Sequence, residues 1–96
     1  MTDKELYQQK MQAQLDTWKA EVDKLKARAS GLSADARIEM DKHIETLDSK
    51  IEAGRAKLSE LAQSGEEAWE PLKEGVESAW DTLKSAVSDA AAKFRG

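Results

Sequence analysis

Two segments decide the fold when one is written above the other: Ala68–Ser78, AWEPLKEGVES, and Ala79–Asp89, AWDTLKSAVSD. Ala, Trp, Leu, Lys and Val recur at an offset of eleven, and Glu70 is replaced by Asp81. A partial third unit, AAAKFRG, puts Phe94 where Leu72 and Leu83 stand. The apolar positions Trp69, Leu72, Val76, Trp80, Leu83, Val87, Ala91 and Phe94 are therefore spaced 3-4-4-3-4-4-3. An eleven-residue repeat gives about 3.67 residues per turn, close to the period of a straight α-helix, so one apolar stripe stays on one face. The segment predicts an amphipathic helix.

Moving outward, the N-terminal part carries a different period. Thr2-Asp3-Lys4-Glu5 has the form of a capping box, in which the Thr hydroxyl and the Glu carboxylate satisfy the first free backbone N–H groups of a helix. From Leu15 the apolar residues Trp18, Val22, Leu25, Ala29, Leu32 and Ala36 follow at 3-4-3-4-3-4, a heptad seam preceded by Met11. Ala36, Met40 and Ile44 are spaced 4-4, a stutter that locally unwinds a coiled coil. The heptad then resumes through Leu47, Ile51, Gly54, Leu58 and Leu61. Gly54 falls on the seam, where it either permits close approach of another backbone or is a tolerated weak point.

Two places allow a break. At Ser30-Gly31-Leu32-Ser33, glycine could end one helix and Ser33 could cap the next. The seam stays in phase across Gly31, which favours one continuous helix. Around Ser64-Gly65, a second Ser-x-x-Glu box ends in Glu67, and Pro71 is tolerated cheaply only in a helix's first turn. A chain break between 63 and 71 is expected. The leading architecture is all-α: an elongated antiparallel coiled-coil bundle with a long helix over about 3–63 and a second over about 66–95. The alternative is a monomeric three-helix bundle with turns at 30–33 and 64–66. In the first case the seam from Met11 to Ala29 extends past the returning helix and calls for a second chain.

At 96 residues the chain is one helical domain, a heptad segment over 1–63 and a repeat helix over 64–96. Charged residues make up 35% of it, with a net charge of −4, and the basic ones are interspersed with acidic ones. Nucleic-acid binding needs a basic stripe against phosphate, and none is present. No cysteine is available for a disulfide or a thiolate metal site. The polar start MTDKELYQQK lacks the apolar core of a signal peptide, which makes the cytoplasm the expected compartment.

Candidate chemistry is sparse. His43 is the single histidine, and with Glu39 it offers an i,i+4 pair, too few ligands for zinc without help from elsewhere. No serine or threonine has a base placed for it, and the five glycines are dispersed rather than gathered in a phosphate loop. The expectation is a non-enzyme with no catalytic residue, cofactor or metal. What the sequence offers is an interaction and packing seam: Leu15, Trp18, Val22, Leu25, Leu32, Ile44, Leu47, Ile51, Leu58, Leu61, Trp69, Leu72, Val76, Trp80, Leu83, Val87 and Phe94. The tryptophans read as packing anchors whose truncation to Ala would cost about 3–5 kcal/mol. They also read as headgroup anchors of a peripheral lipid-binding helix. Residues 64–96 carry four basic side chains against seven acidic ones, a balance that an anionic membrane repels.

The opening DKELYQQKMQAQLDTWKAEVDKLKA, the middle ADARIEMDKHIETLDSKIEAGRAKLSEL and the closing EEAWEPLKEGVESAWDTLKSAV together resemble a family of short bacterial coiled-coil proteins described as stress-response or hypothetical proteins. The doubled Ala-Trp-x-x-Leu-Lys unit is the most specific part of that resemblance. It implies a helical, non-enzymatic, cytosolic protein linked to stress. Ser30-Gly31 and Pro71 depart from the pattern such a family leads one to expect. The function expected is that of a small coiled-coil interaction or structural protein that self-associates or binds another helical protein, with a lipid-binding or membrane-protective protein as the alternative.

Overall fold

The computed structural model describes residues 1–93. Three helices account for almost all of them: α1 (Asp3–Ala29), α2 (Ala34–Gln63) and α3 (Trp69–Lys93). They run up, down and up, so α1 and α3 are parallel and α2 is antiparallel to both. The rod measures 52 × 19 × 17 Å. A sixty-residue helix alone would span roughly 90 Å.

The helix therefore stops before Gly31 and does not run through it. The chain leaves α1 by a tightened last turn, in which Gly31 N–H donates to Arg28 O at 3.1 Å and Leu32 N–H to Ala29 O at 3.2 Å. The Ser30 hydroxyl also donates to Ala27 O at 2.8 Å. These bonds satisfy the free carbonyls of the helix end. Gly31 does not take up the left-handed conformation of a Schellman cap, and an added Cβ would meet only Arg28 O at 3.7 Å. Ser33 stands at the N-cap of α2 with extended backbone but makes no side-chain cap hydrogen bond. Sequence phase across Gly31 was a misleading guide, because Leu32 is 36% exposed and Ala36 half-buried. The seam resumes at Met40 on a helix that runs the other way.

At the second break the chain behaves as Pro71 requires. α3 begins at Trp69, so proline sits in its first turn, where its missing N–H has no intrahelical partner to lose. Ser64 does not form a second capping box; its hydroxyl turns back and donates to Leu61 O at 2.5 Å. At the chain start Glu5 N–H donates to the Thr2 hydroxyl at 3.2 Å, and that hydroxyl donates to the Glu5 carboxylate at 3.2 Å.

The turn at 30–33 changes what covers the first seam. Met11, Leu15, Val22, Leu25 and Ala29 are buried against α2 and α3 of the same chain. Ile44, Leu47, Ile51, Leu58, Leu61, Trp69, Val76, Trp80, Leu83 and Val87 join them in one core. Trp18 and Leu72 are packed against that core but only partly buried. On α3 the position buried after Val87 is Ala90, with Ala91 half-exposed. Phe94 lies outside the described residues. Buried Tyr7 and Met40 complete the core; Tyr7 precedes the heptad run, four residues before Met11.

Ionic contacts hold the ends. The last turn of α2 holds no basic residue, and Lys4 of α1 supplies the cation instead. Its ammonium donates to Ser64 O at 2.8 Å and Ala62 O at 3.3 Å, where a helix C-terminus favours positive charge. Lys26 pairs with Asp48 at 3.2 Å, joining α1 to α2. Among the described residues no helix is long and apolar enough to cross a membrane.

Candidate functional site

Because α1 and α3 are parallel, an advance of eleven residues along each moves about 16 Å up the rod and returns to the same face. Tyr7 and Trp18 stand eleven apart on α1, as Trp69 and Trp80 do on α3. The result is two aromatic levels between the same two helices. In the lower one, the rings of Tyr7 and Trp69 lie 5.7 Å apart at 44°. In the upper one, Trp18 and Trp80 lie 6.2 Å apart at 63°, edge to face. Both distances fall in the favourable range for aromatic pairs. The repeat is visible on α3 in the sequence, but its counterpart on α1 is just two aromatic residues in otherwise generic heptad sequence.

The lower level is closed by its own chain. Lys73 Nζ stands 5.1 Å from the Tyr7 ring centroid and 5.7 Å from that of Trp69, a double cation–π contact. The Tyr7 hydroxyl donates to Lys73 O at 3.5 Å. Burial pushes the Tyr7 phenol up to about 12, and the Glu77 carboxylate adds to this by its charge and by accepting a hydrogen bond.

The upper level centres on Trp80, only 3% exposed. Its indole Nε1–H donates to Met11 O of α1 at 3.1 Å, so the polar end of the ring is satisfied within the core. Its far edge lies over Gly54 of α2. A Cβ added there would meet Trp80 Cζ3 at 3.1 Å and Leu83 Cδ1 at 3.2 Å. The seam glycine thus admits a tryptophan ring rather than another backbone. Beside the ring pair, a cleft of about 320 Å³ opens between α1 and α3, lined by Gln14, Thr17, Trp18, Trp80, Asp81 and Lys84.

The pair Glu39 and His43 is engaged by α3. Lys93 Nζ lies 2.6 Å from Glu39 Oε1 and 3.4 Å from His43 Nε2. The hydrogen bond from Lys93, and then its charge, hold the Glu39 carboxyl below its usual range. Among the described residues no three His, Cys, Asp or Glu side chains are grouped to hold a metal ion. The buried side chains there are apolar apart from the phenol of Tyr7 and the indole N–H groups of Trp69 and Trp80. No family model, no curated protein and no solved structure matches this chain.

Two measurements check this geometry. Gly54→Leu places a branched side chain against a ring that is held by Met11 and Trp18, and chemical denaturation should show a loss of about 1–3 kcal/mol, the usual cost of overpacking. Unchanged or raised stability would mean that Trp80 does not sit over Gly54. The second uses the phenol. Tyr7 is the only tyrosine, so absorbance at 295 nm titrates it alone. Its folded value lies above the ordinary 10.0, so the fold favours the neutral phenol. That stabilisation is present in full below pH 10 and is lost as pH rises towards 12. The midpoint should stand well above 10 in buffer and return to about 10 in urea. Equal midpoints would contradict the buried placement of Tyr7.

Proposed function

We propose that the chain is a non-enzymatic interaction or structural protein that works as a self-contained three-helix rod and meets its partners through its outer faces. The observation that carries this reading is the composition of the interior. Apolar side chains from all three helices fill it, and the one ionisable group in it among the described residues, the Tyr7 phenol, is shifted away from the physiological range. An acid–base catalyst needs the opposite, a group tuned towards the working pH in an accessible cleft. The outer faces carry the charge: Glu21 with Lys24, Arg37 with Asp41 and Arg55 with Glu52 form exposed pairs along α1 and α2.

Partners in this reading are another helical protein or a second copy of the chain. Self-association no longer serves to cover the Met11–Ala29 seam, which the chain covers itself. It would run through exposed surface and be weak and concentration-dependent. Cytoplasmic location and a role under stress belong to the same reading, supported by the resemblance of the doubled Ala-Trp-x-x-Leu-Lys unit. The lipid-binding reading has less support, because the headgroup anchors it needs, Trp69 and Trp80, are 6% and 3% exposed. α3 would have to leave the bundle to present them.

Sedimentation equilibrium over a concentration series tests the self-contained rod. A single species of 10.6 kDa should dominate at micromolar concentration, and the protein should not float with neutral or anionic vesicles. A tight dimer at every concentration, or co-flotation with a shift in tryptophan fluorescence, would contradict it.

A further inference from the structure

The two aromatic levels are equivalent by the eleven-residue register, and one difference between them concerns cations. In the lower level the i,i+4 lysine of α3, Lys73, lays its ammonium over both rings. Lys84 occupies the same register position in the upper level, four residues after Trp80. Among the described residues, no cation lies over Trp18 or Trp80. In place of the ammonium there is the cleft of about 320 Å³, with Trp18 as its accessible aromatic wall. Asp81 also lines it and makes no ion pair among the described residues.

We propose that the cleft between Trp18 and Trp80 is a binding site for an organic cation, an alkylammonium or quaternary ammonium group held on the face of Trp18 with Asp81 as its counter-ion. The lower level is the precedent within the same molecule: the same helix pair and the same register hold an ammonium between two aromatic rings. Trp has the strongest attraction for cations of the aromatic side chains, and a carboxylate beside the ring adds charge complementarity. The indole N–H of Trp80 is committed to Met11 O, so that ring offers no free donor to an anion. The Gln14 amide oxygen and the Thr17 hydroxyl oxygen, whose proton goes to Ala13 O at 3.0 Å, add acceptors to the lining. Net charge of −4 draws cations towards the surface. Lys84, which also lines the cleft, is an internal competitor for the slot.

The cation is either a free small molecule or the side chain of a partner protein. The second case deepens the interaction reading given above, while the first holds even if that reading fails. Nitrogen-15 NMR separates the three indole N–H signals. Tetramethylammonium chloride, titrated against sodium chloride at equal ionic strength, should shift the Trp18 indole, with a midpoint on the order of 10 mM. Asp81→Asn should weaken this about two- to fivefold, in the range of an exposed ion pair. Lys84→Gln should strengthen it by removing the competitor. A short peptide bearing trimethyl-lysine provides the other arm. A midpoint about tenfold lower for the peptide assigns the site to a protein side chain, and equal midpoints assign it to a free cation. The proposal is overturned if neither probe moves the Trp18 indole beyond the sodium control. It is equally overturned if Asp81→Asn responds as the parent does, or if the Trp69 indole responds with the same midpoint.

Discussion

The bundle depends on where the Trp80 indole can go. It is one of two buried tryptophans, and it meets all three helices: its own on α3, Gly54 on α2, and both Met11 O and Trp18 on α1. A ring of that size needs a gap, and the gap is made by leaving out a Cβ at Gly54. Glycine there costs about 1 kcal/mol of helix propensity relative to alanine. The burial of an aromatic ring, together with a satisfied N–H, outweighs that cost. The carbonyl of Met11 has two lone pairs, so it can accept the indole N–H without giving up its place in the helix.

Fixing Trp80 fixes the register of α1 against α3, and the rest follows from parallel helices with a common eleven-residue step. Tyr7 must then meet Trp69, Lys73 must fall over both rings, and Trp18 must lie against Trp80 at the margin of the core. The ends are secured differently. Lys4 places its charge on the C-terminal carbonyls of α2, Lys26 reaches Asp48, and Lys93 reaches Glu39. The two ion pairs are half-exposed and screened by water, so they align the helices more than they stabilise them. Lys4 acts where the helix dipole adds to its effect.

Much of this was legible from residue spacing. The stripe on α3 from Trp69 to Val87, the seam positions between Leu15 and Leu61 other than Leu32 and Ala36, and the break before Pro71 rest on local chemistry: period, capping and the missing proline N–H. The turn at Gly31 was less legible. Heptad phase persists through it by coincidence, since Leu32 continues the count yet faces solvent. Backbone bonds to Arg28 and Ala29 close the helix there, and nothing in side-chain period reports them. At Gly54 the spacing leaves close approach of a backbone and a tolerated weak point equally open, because the ring that lies over it depends on a register between α2 and α3 that no local pattern contains. The upper cleft was likewise invisible, because it arises from pairing two levels across parallel helices.

The role of Trp80 as the pin of the bundle is tested most directly by hydrogen exchange of its indole N–H, assigned in the nitrogen-15 spectrum by a Trp80→Phe variant. A donor bonded to Met11 O inside the core exchanges only when the whole bundle opens, so its rate should equal that of the slowest backbone amides and should follow global stability as denaturant is added. Exchange as fast as that of the partly exposed Trp18 indole would contradict it, and would mean that α3 leaves α1 without unfolding of the rest.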